Sequence, residues 1–235
     1  MSPFFGEIFG TAILIILGNG VVANVLLNKT TGQNSGWIVI TFGWAMAVYI
    51  AVFIAAPYSK AHLNPAVTLA FAFVGKLEWS KVPIYLSAQM LGAMVGSSAM
   101  WLTYRQHFNE TKDPNPKLSV FCTGPAIPGT FTNLFTEVIG TFVLIFGVLH
   151  IAAPANSLGA LDALPVALLV LGIGLSLGGP TGYAINPARD LGPRIMHFLL
   201  PIRGKRDSNW GYAWIPVIGP IVGALIAAYI FKMSR

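Results

Sequence analysis

Two short runs hold the residues best placed to do chemistry, Asn64-Pro65-Ala66 and Asn186-Pro187-Ala188, each set in an apolar stretch. Asparagine is a good N-cap, and proline is tolerated at the first helical position, where its missing N–H is not needed. Each run therefore predicts a helix start. The first such helix, 65–75, is about 16 Å long at 1.5 Å per residue, roughly half of a ~30 Å hydrocarbon core. Two half-spanning helices entering from opposite faces bring both asparagine amides and both positive dipole ends together near the middle. That meeting point is where the function is expected.

The duplication extends beyond these runs. The asparagines are 186 − 64 = 122 residues apart, Glu7-Ile8-Phe9-Gly10-Thr11 answers Glu137-Val138-Ile139-Gly140-Thr141 at 130, and Gly92-x-x-x-Gly96 answers Gly219-x-x-x-Gly223 at 127. Two copies of one unit are the sequence sign of a repeat-built membrane pore or transporter. The expected organisation is one domain over 1–235, with repeat one at about 1–104, a connecting polar loop at about 105–130 and repeat two at about 131–235.

The elements that must position these residues are membrane spans. With 55% hydrophobic and 9% charged residues and a mean hydropathy of +0.69, the chain is too apolar for a soluble globule of its size. Six stretches are long enough to span or nearly so: 4–27, 37–56, 82–102, 134–153, 161–178 and 213–231. They are continuous apolar runs, not alternating ones, which excludes a closed barrel. The first begins at once, is too long for a signal core and carries Glu7, so it is expected to be retained. The net charge of +6 does not mark a nucleic-acid partner, because the basic residues are scattered over loops and read as facing lipid headgroups. Cys122 is the only cysteine and has no internal disulfide partner. No nucleophile with a base and no metal-ligand cluster is visible, so neither a catalytic residue, a metal nor a cofactor is expected.

Ionisable groups inside spans are functional suspects. Glu7 and its counterpart Glu137 have two readings: a coupling group for protons or cations, or a brace accepting hydrogen bonds from the non-helical backbone before each half-helix; the brace is preferred. Both lie near span ends, away from the asparagines. Residues 57–63 break the second span, and His62 reads as a bracing imidazole or a gate. The glycine-dense run 175–185 suits unwound backbone presenting carbonyls inward. Arg189 is either paired with Asp190 or a donor aimed into a pore. Trp37 reads as an interfacial aromatic, and the deeper Trp44 reads as packing or as part of the site. The basic residues lean the wrong way for cytoplasmic termini, with Lys60, Lys76, Lys81, Lys232 and Arg235 on one side and Lys29, Arg105, Lys112, Lys117, Arg203, Lys205 and Arg206 on the other.

The stretches 61–68 and 182–190, reading Ala-His-Leu-Asn-Pro-Ala-Val-Thr and Gly-Tyr-Ala-Ile-Asn-Pro-Ala-Arg-Asp, resemble the two signature loops of the aquaporin superfamily, and the likeness covers nearly the whole chain. Asp190, Arg194, Pro216 and Val217 make it more similar to the glycerol facilitators than to strict water channels. The resemblance implies an all-α membrane protein with six transmembrane helices and two half-helices in an inverted repeat. It further implies a homotetramer with one pore per subunit, in the cell membrane with both termini cytoplasmic. The narrowest ring then falls on Trp44, Gly174, Tyr183 and Arg189, with Gly174 standing where water-selective members place histidine. The implied activity is passive, non-ionic permeation of glycerol and related small uncharged solutes together with water. The alternatives are a channel preferring dihydroxyacetone, urea or lactic acid, and an ion-coupled secondary transporter. Two residues depart from the facilitator pattern: Tyr183 for phenylalanine, which adds a polar contact, and Lys60 for a small residue at the cytoplasmic mouth.

Overall fold

A computed structural model describes residues 1–151 and 156–234. The described residues form helices and no strands: α1 (Pro3–Leu26), α2 (Trp37–Ser59), α3 (Pro65–Phe73), α4 (Val82–Glu110), α5 (Pro114–Phe121), α6 (Thr130–His150), α7 (Leu164–Leu177), α8 (Pro187–Leu199) and α9 (Ile215–Met233), with short 3₁₀ turns before α4 and α7. Five segments are long and apolar enough to cross a membrane: α1, α2, α6, α7 with its preceding turn, and α9. The sixth expected span is α4, the longest helix at 29 residues, or about 43 Å. Its inward face is polar or small, with Gln89, Gly92, Gly96 and Ser97 buried.

Three sequence expectations change. The second span does not stop at 56; α2 carries Pro57 inside and ends at Ser59, where Lys60 takes a left-handed conformation, φ 63°, and its N–H closes on the Ala56 carbonyl. The stretch 105–130 is not simply a loop, because it holds the last turn and more of α4 and all of α5. Asp113 caps α5 by accepting from the Asn115 N–H at 2.9 Å, and Pro114 occupies its first turn without loss. The fourth span closes at His150; the end expected at 153, like Arg235, lies outside the described residues.

The sequence duplication is also a duplication of packing. α1 lies along α4 and α6 along α9, in both cases through the paired glycines. A Cβ on Gly92 or Gly96 falls 2.5 Å from the Ile8 or Ala12 carbonyl oxygen, and one on Gly223 falls 2.2 Å from that of Val138. Backbone meets backbone at these crossings, which is how helices associate closely inside a membrane. The unwound loops repeat as well: the left-handed residues Lys60, Ala61 and Leu63 are matched by Gly182, Tyr183 and Ile185, each at the interval that separates the asparagines.

Many basic residues on the side of the connecting stretch are used by the fold. The Lys205 ammonium donates to the carbonyls of His197, Phe198 and Leu200 at 2.6–2.8 Å, capping the C-terminal end of α8, where positive charge is favoured. Lys117 donates to the Arg203 carbonyl at 2.5 Å, Lys29 pairs with Glu110, and Arg206 bonds Asn115 at 2.6 Å. Asp207, beside the Asn209 N–H and Arg206, is held below the usual carboxylate range.

Gly223→Val tests the close crossing. It should destabilise the folded protein by about 1–3 kcal/mol or more, because the side chain meets main-chain atoms that cannot swing aside. Gly20→Ala, where a Cβ meets nothing within 4 Å, is the control. Thermal unfolding in detergent should separate the two; equal midpoints would show that the α6–α9 crossing tolerates separation.

Candidate pore and its constriction

Each asparagine does two things with its amide. The Asn64 side-chain oxygen accepts from the Ala66 N–H at 2.9 Å, and that of Asn186 accepts from Ala188 and Arg189 at 3.0 and 3.2 Å, so each caps its half-helix. Their nitrogens cross over: Asn64 donates to the Ile185 carbonyl and Asn186 to the Leu63 carbonyl, both at 2.8 Å. Each residue thereby ties its half-helix to the loop of the other repeat. An amide nitrogen carries two protons, so one N–H of each asparagine stays available. Pro65, Ala66, Pro187 and Ala188 are buried at this junction.

The glutamates complete the loops. Glu7 Oε1 accepts from Ser59 Oγ at 2.6 Å and from the His62 N–H at 2.9 Å, while Oε2 accepts from the Leu63 N–H and from Gln89 Nε2, both at 2.7 Å. Glu137 Oε1 accepts from Thr181 Oγ1 at 2.7 Å and the Ala184 N–H at 3.0 Å, and its Oε2 from the Ile185 N–H at 3.0 Å. The expectation that these carboxylates sit away from the asparagines is corrected, since each binds the N–H one residue before an asparagine. Both are fully buried and neither borders a cavity. His62 joins the first loop by a 3.1 Å contact from Nδ1 to Thr68 Oγ1, with its ring between Phe71 and Tyr85. Thr68 gives its own proton to the Asn64 carbonyl and accepts from Gln89, which favours the Nδ1–H tautomer of His62.

Two cavities meet end to end. One, of about 150 Å³, reaches from Lys60 and His62 past Asn64 and Asn186, with valines at 48, 52, 148, 166 and 170 on its walls. The other, of about 340 Å³, is bordered by Trp37, Cys122, Thr123 and the glycines 178, 179 and 182. Trp44, Tyr183 and Arg189 border both and mark the constriction between them. The Arg189 guanidinium lies over the Trp44 ring, 4.2 Å from its centroid. Among the described residues it is in no ion pair, because Asp190 pairs instead with Arg194, one turn on, at 2.7 Å. Of the two readings of Arg189, the geometry supports the donor at the passage.

Gly174 borders neither cavity. The space its missing side chain leaves is filled by Tyr183, whose Cζ is 2.9 Å from where a Cβ would stand. The phenol hydroxyl is buried there with no partner among the described residues, so the polar contact expected of it is not offered to the passage.

With the geometry in place, the chain can be set beside known proteins. The family model described as "Major intrinsic protein" matches residues 1–231. The chain belongs to the major intrinsic protein family. It is 57% identical over 232 residues to a probable glycerol uptake facilitator protein of Thermotoga maritima, covering 99% of each chain. It is 55% identical to the glycerol uptake facilitator protein of Bacillus subtilis, covering 100% of this chain and 85% of the other. Among solved structures it resembles the aquaglyceroporin from Plasmodium falciparum, with TM-score 0.87 and 31% identity over 97% of this chain and 94% of that one.

Asp190 and Arg194, expected from the resemblance to mark a glycerol-type member, hold Thr123 in the wall of the larger cavity. Asp190 accepts from the N–H and hydroxyl of Thr123 at 2.7 and 2.6 Å, and Arg194 donates to the carbonyls of Thr123 and Ser208, both at 2.8 Å. Pro216 is buried in the first turn of α9, and Val217 follows it half-buried. Sequence reasoning missed the partners Ser59, Gln89, Thr181 and Thr123. Only Gln89 carried a signal, as an uncharged polar residue in an apolar span. Trp37, expected as an interfacial aromatic, is exposed, and its indole also borders the larger cavity and donates to the Gly174 carbonyl at 3.1 Å.

Glu137→Gln tests the brace. An amide has one oxygen for three donors and turns a fourth donor toward them, a mismatch costing about 1–3 kcal/mol. The variant should melt earlier in detergent and keep the wild-type pH dependence of solute flux. Normal melting with an altered pH dependence would instead make Glu137 a coupling group.

Proposed function

We propose that the chain is a membrane channel for passive, non-ionic permeation of glycerol and similarly small uncharged solutes, together with water. The observation that carries this is the junction of the two cavities, where the Trp44 and Tyr183 rings adjoin a guanidinium with no ion-pair partner among the described residues. A polyol has a carbon side and a hydroxyl side, and both are matched there. The rings take the carbons while Arg189 and loop carbonyls replace the hydrogen bonds that the hydroxyls lose on leaving water. Relatives at 57% and 55% identity are named glycerol uptake facilitators, which favours glycerol within this class.

Past the constriction, the free N–H of Asn64 and Asn186 receives a solute oxygen, while valine walls offer nothing that holds the solute. Both half-helices point their positive N-terminal ends at this place, as in aquaporin-type pores generally, and that potential opposes cations and protons. Both cavities are bordered by basic side chains and by no carboxylate among the described residues. An ion-coupled transporter requires such a group where the solute passes, and the two buried glutamates have their oxygens engaged by the loops. In this reading the protein is a homotetramer in the cell membrane, multi-pass, with cytoplasmic termini and one pore per subunit. Lys60 then stands at the cytoplasmic mouth.

Proteoliposomes provide the test. Labelled glycerol should reach the same internal concentration with or without an imposed pH or sodium gradient. Accumulation above the external concentration, driven by either ion, would replace the channel by a transporter.

A further inference from the structure

The place of Tyr183 is set by Gly174 together with residues outside the four expected ring positions. Gly174 and Gly178 lie one turn apart at the C-terminal end of α7. A Cβ on the first falls 2.9 Å from Tyr183 Cζ and one on the second 2.5 Å from its Cδ1, so the two glycines form a trough in which the phenol lies. Thr41 borders the same spot, with its methyl 3.0 Å from the Gly174 Cβ position.

Trp37 closes this trough. Its ring meets Tyr183 edge to face, with centroids 5.8 Å apart and planes at 82°, and its Cζ2 is 2.7 Å from the Gly178 Cβ position. Its indole N–H donates to the Gly174 carbonyl, which belongs to the last turn of α7, where carbonyls run out of helical partners. One side chain thus caps α7 and bears on the ring that narrows the passage. The Tyr183 hydroxyl has no hydrogen-bond partner among the described residues, so the ring is held by packing alone. Among the described residues Trp37 is the one aromatic ring that meets it edge to face.

We infer that Trp37 is a positioning residue that sets the aperture between Tyr183, Trp44 and Arg189, and so the size of polyol the channel admits. This rests on the channel reading above. Without the indole, the Tyr183 ring leans into the vacated space and the passage widens, which favours a bulkier polyol over glycerol. A Cβ on Gly178 acts from the other side, pushing the ring toward Trp44 and Arg189.

The experiment is stopped-flow light scattering on proteoliposomes, with glycerol and erythritol measured on the same vesicles for the wild type, Trp37→Phe, Trp37→Ala and Gly178→Ala. The erythritol-to-glycerol ratio should rise about threefold in Trp37→Phe, the scale of one lost neutral hydrogen bond at a barrier, and further in Trp37→Ala. It should fall in Gly178→Ala. A loss of folded channels lowers both fluxes together and leaves the ratio alone, so the ratio separates aperture from stability. An unchanged ratio in the tryptophan variants, or in Gly178→Ala should those not assemble, overturns the inference and leaves the channel reading standing. Wild-type vesicles that pass no glycerol overturn both.

Discussion

Backbone that leaves a helix in the middle of a bilayer must find its hydrogen-bond partners inside the protein, because lipid offers none. This chain does so twice, at 60–64 and 182–186, and the rest of the structure follows from how the demand is met. Two buried carboxylates accept from the loop N–H groups, and two asparagine side chains donate to a carbonyl of the opposite loop. A carboxylate suits the task because it presents several lone pairs and no donor. The cost of burying it is offset by three or four hydrogen bonds at each site, bonds that are stronger for having a charged partner.

The same constraint links fold to selectivity. Since each asparagine is tied to the other repeat, the two half-helices cannot shift apart without breaking a bond between buried groups. Their N-terminal ends are therefore fixed head to head. The wall on the wider side depends on a second buried arrangement, Asp190 with Arg194, which holds Thr123 and the chain near Ser208 against α8. That pairing also leaves Arg189 in no ion pair among the described residues.

Much of this was legible in the sequence because the signals were local. Asn-Pro marks a capped helix start whatever surrounds it, and a glutamate in an apolar run needs a partner, which the doubled spacing supplied. The Asp190–Arg194 pair was equally within reach, as residues four apart on a helix face each other. What stayed hidden depends on which side chain fills a space. Gly174 reads as room for a solute until Tyr183 is seen lying over it, and an interfacial Trp37 gives no sign that its N–H also reaches α7. The helix α5 was obscured by prolines that suggest loop, although Asp113-Pro114 is itself a cap and first turn. The count of basic residues likewise did not show that Lys205, Lys117 and Lys29 serve caps and pairs.

The central claim is that hydrogen bonds lost to water are replaced continuously along a path that is already open. The temperature dependence of glycerol flux into proteoliposomes tests it most directly. With no step in which the solute is left without partners and no carrier to reorient, the barrier is low and the rate should change by less than about twofold over 10 °C. A steep rise, equal to that of protein-free vesicles or accompanied by saturation at modest glycerol concentration, would contradict an open, matched path.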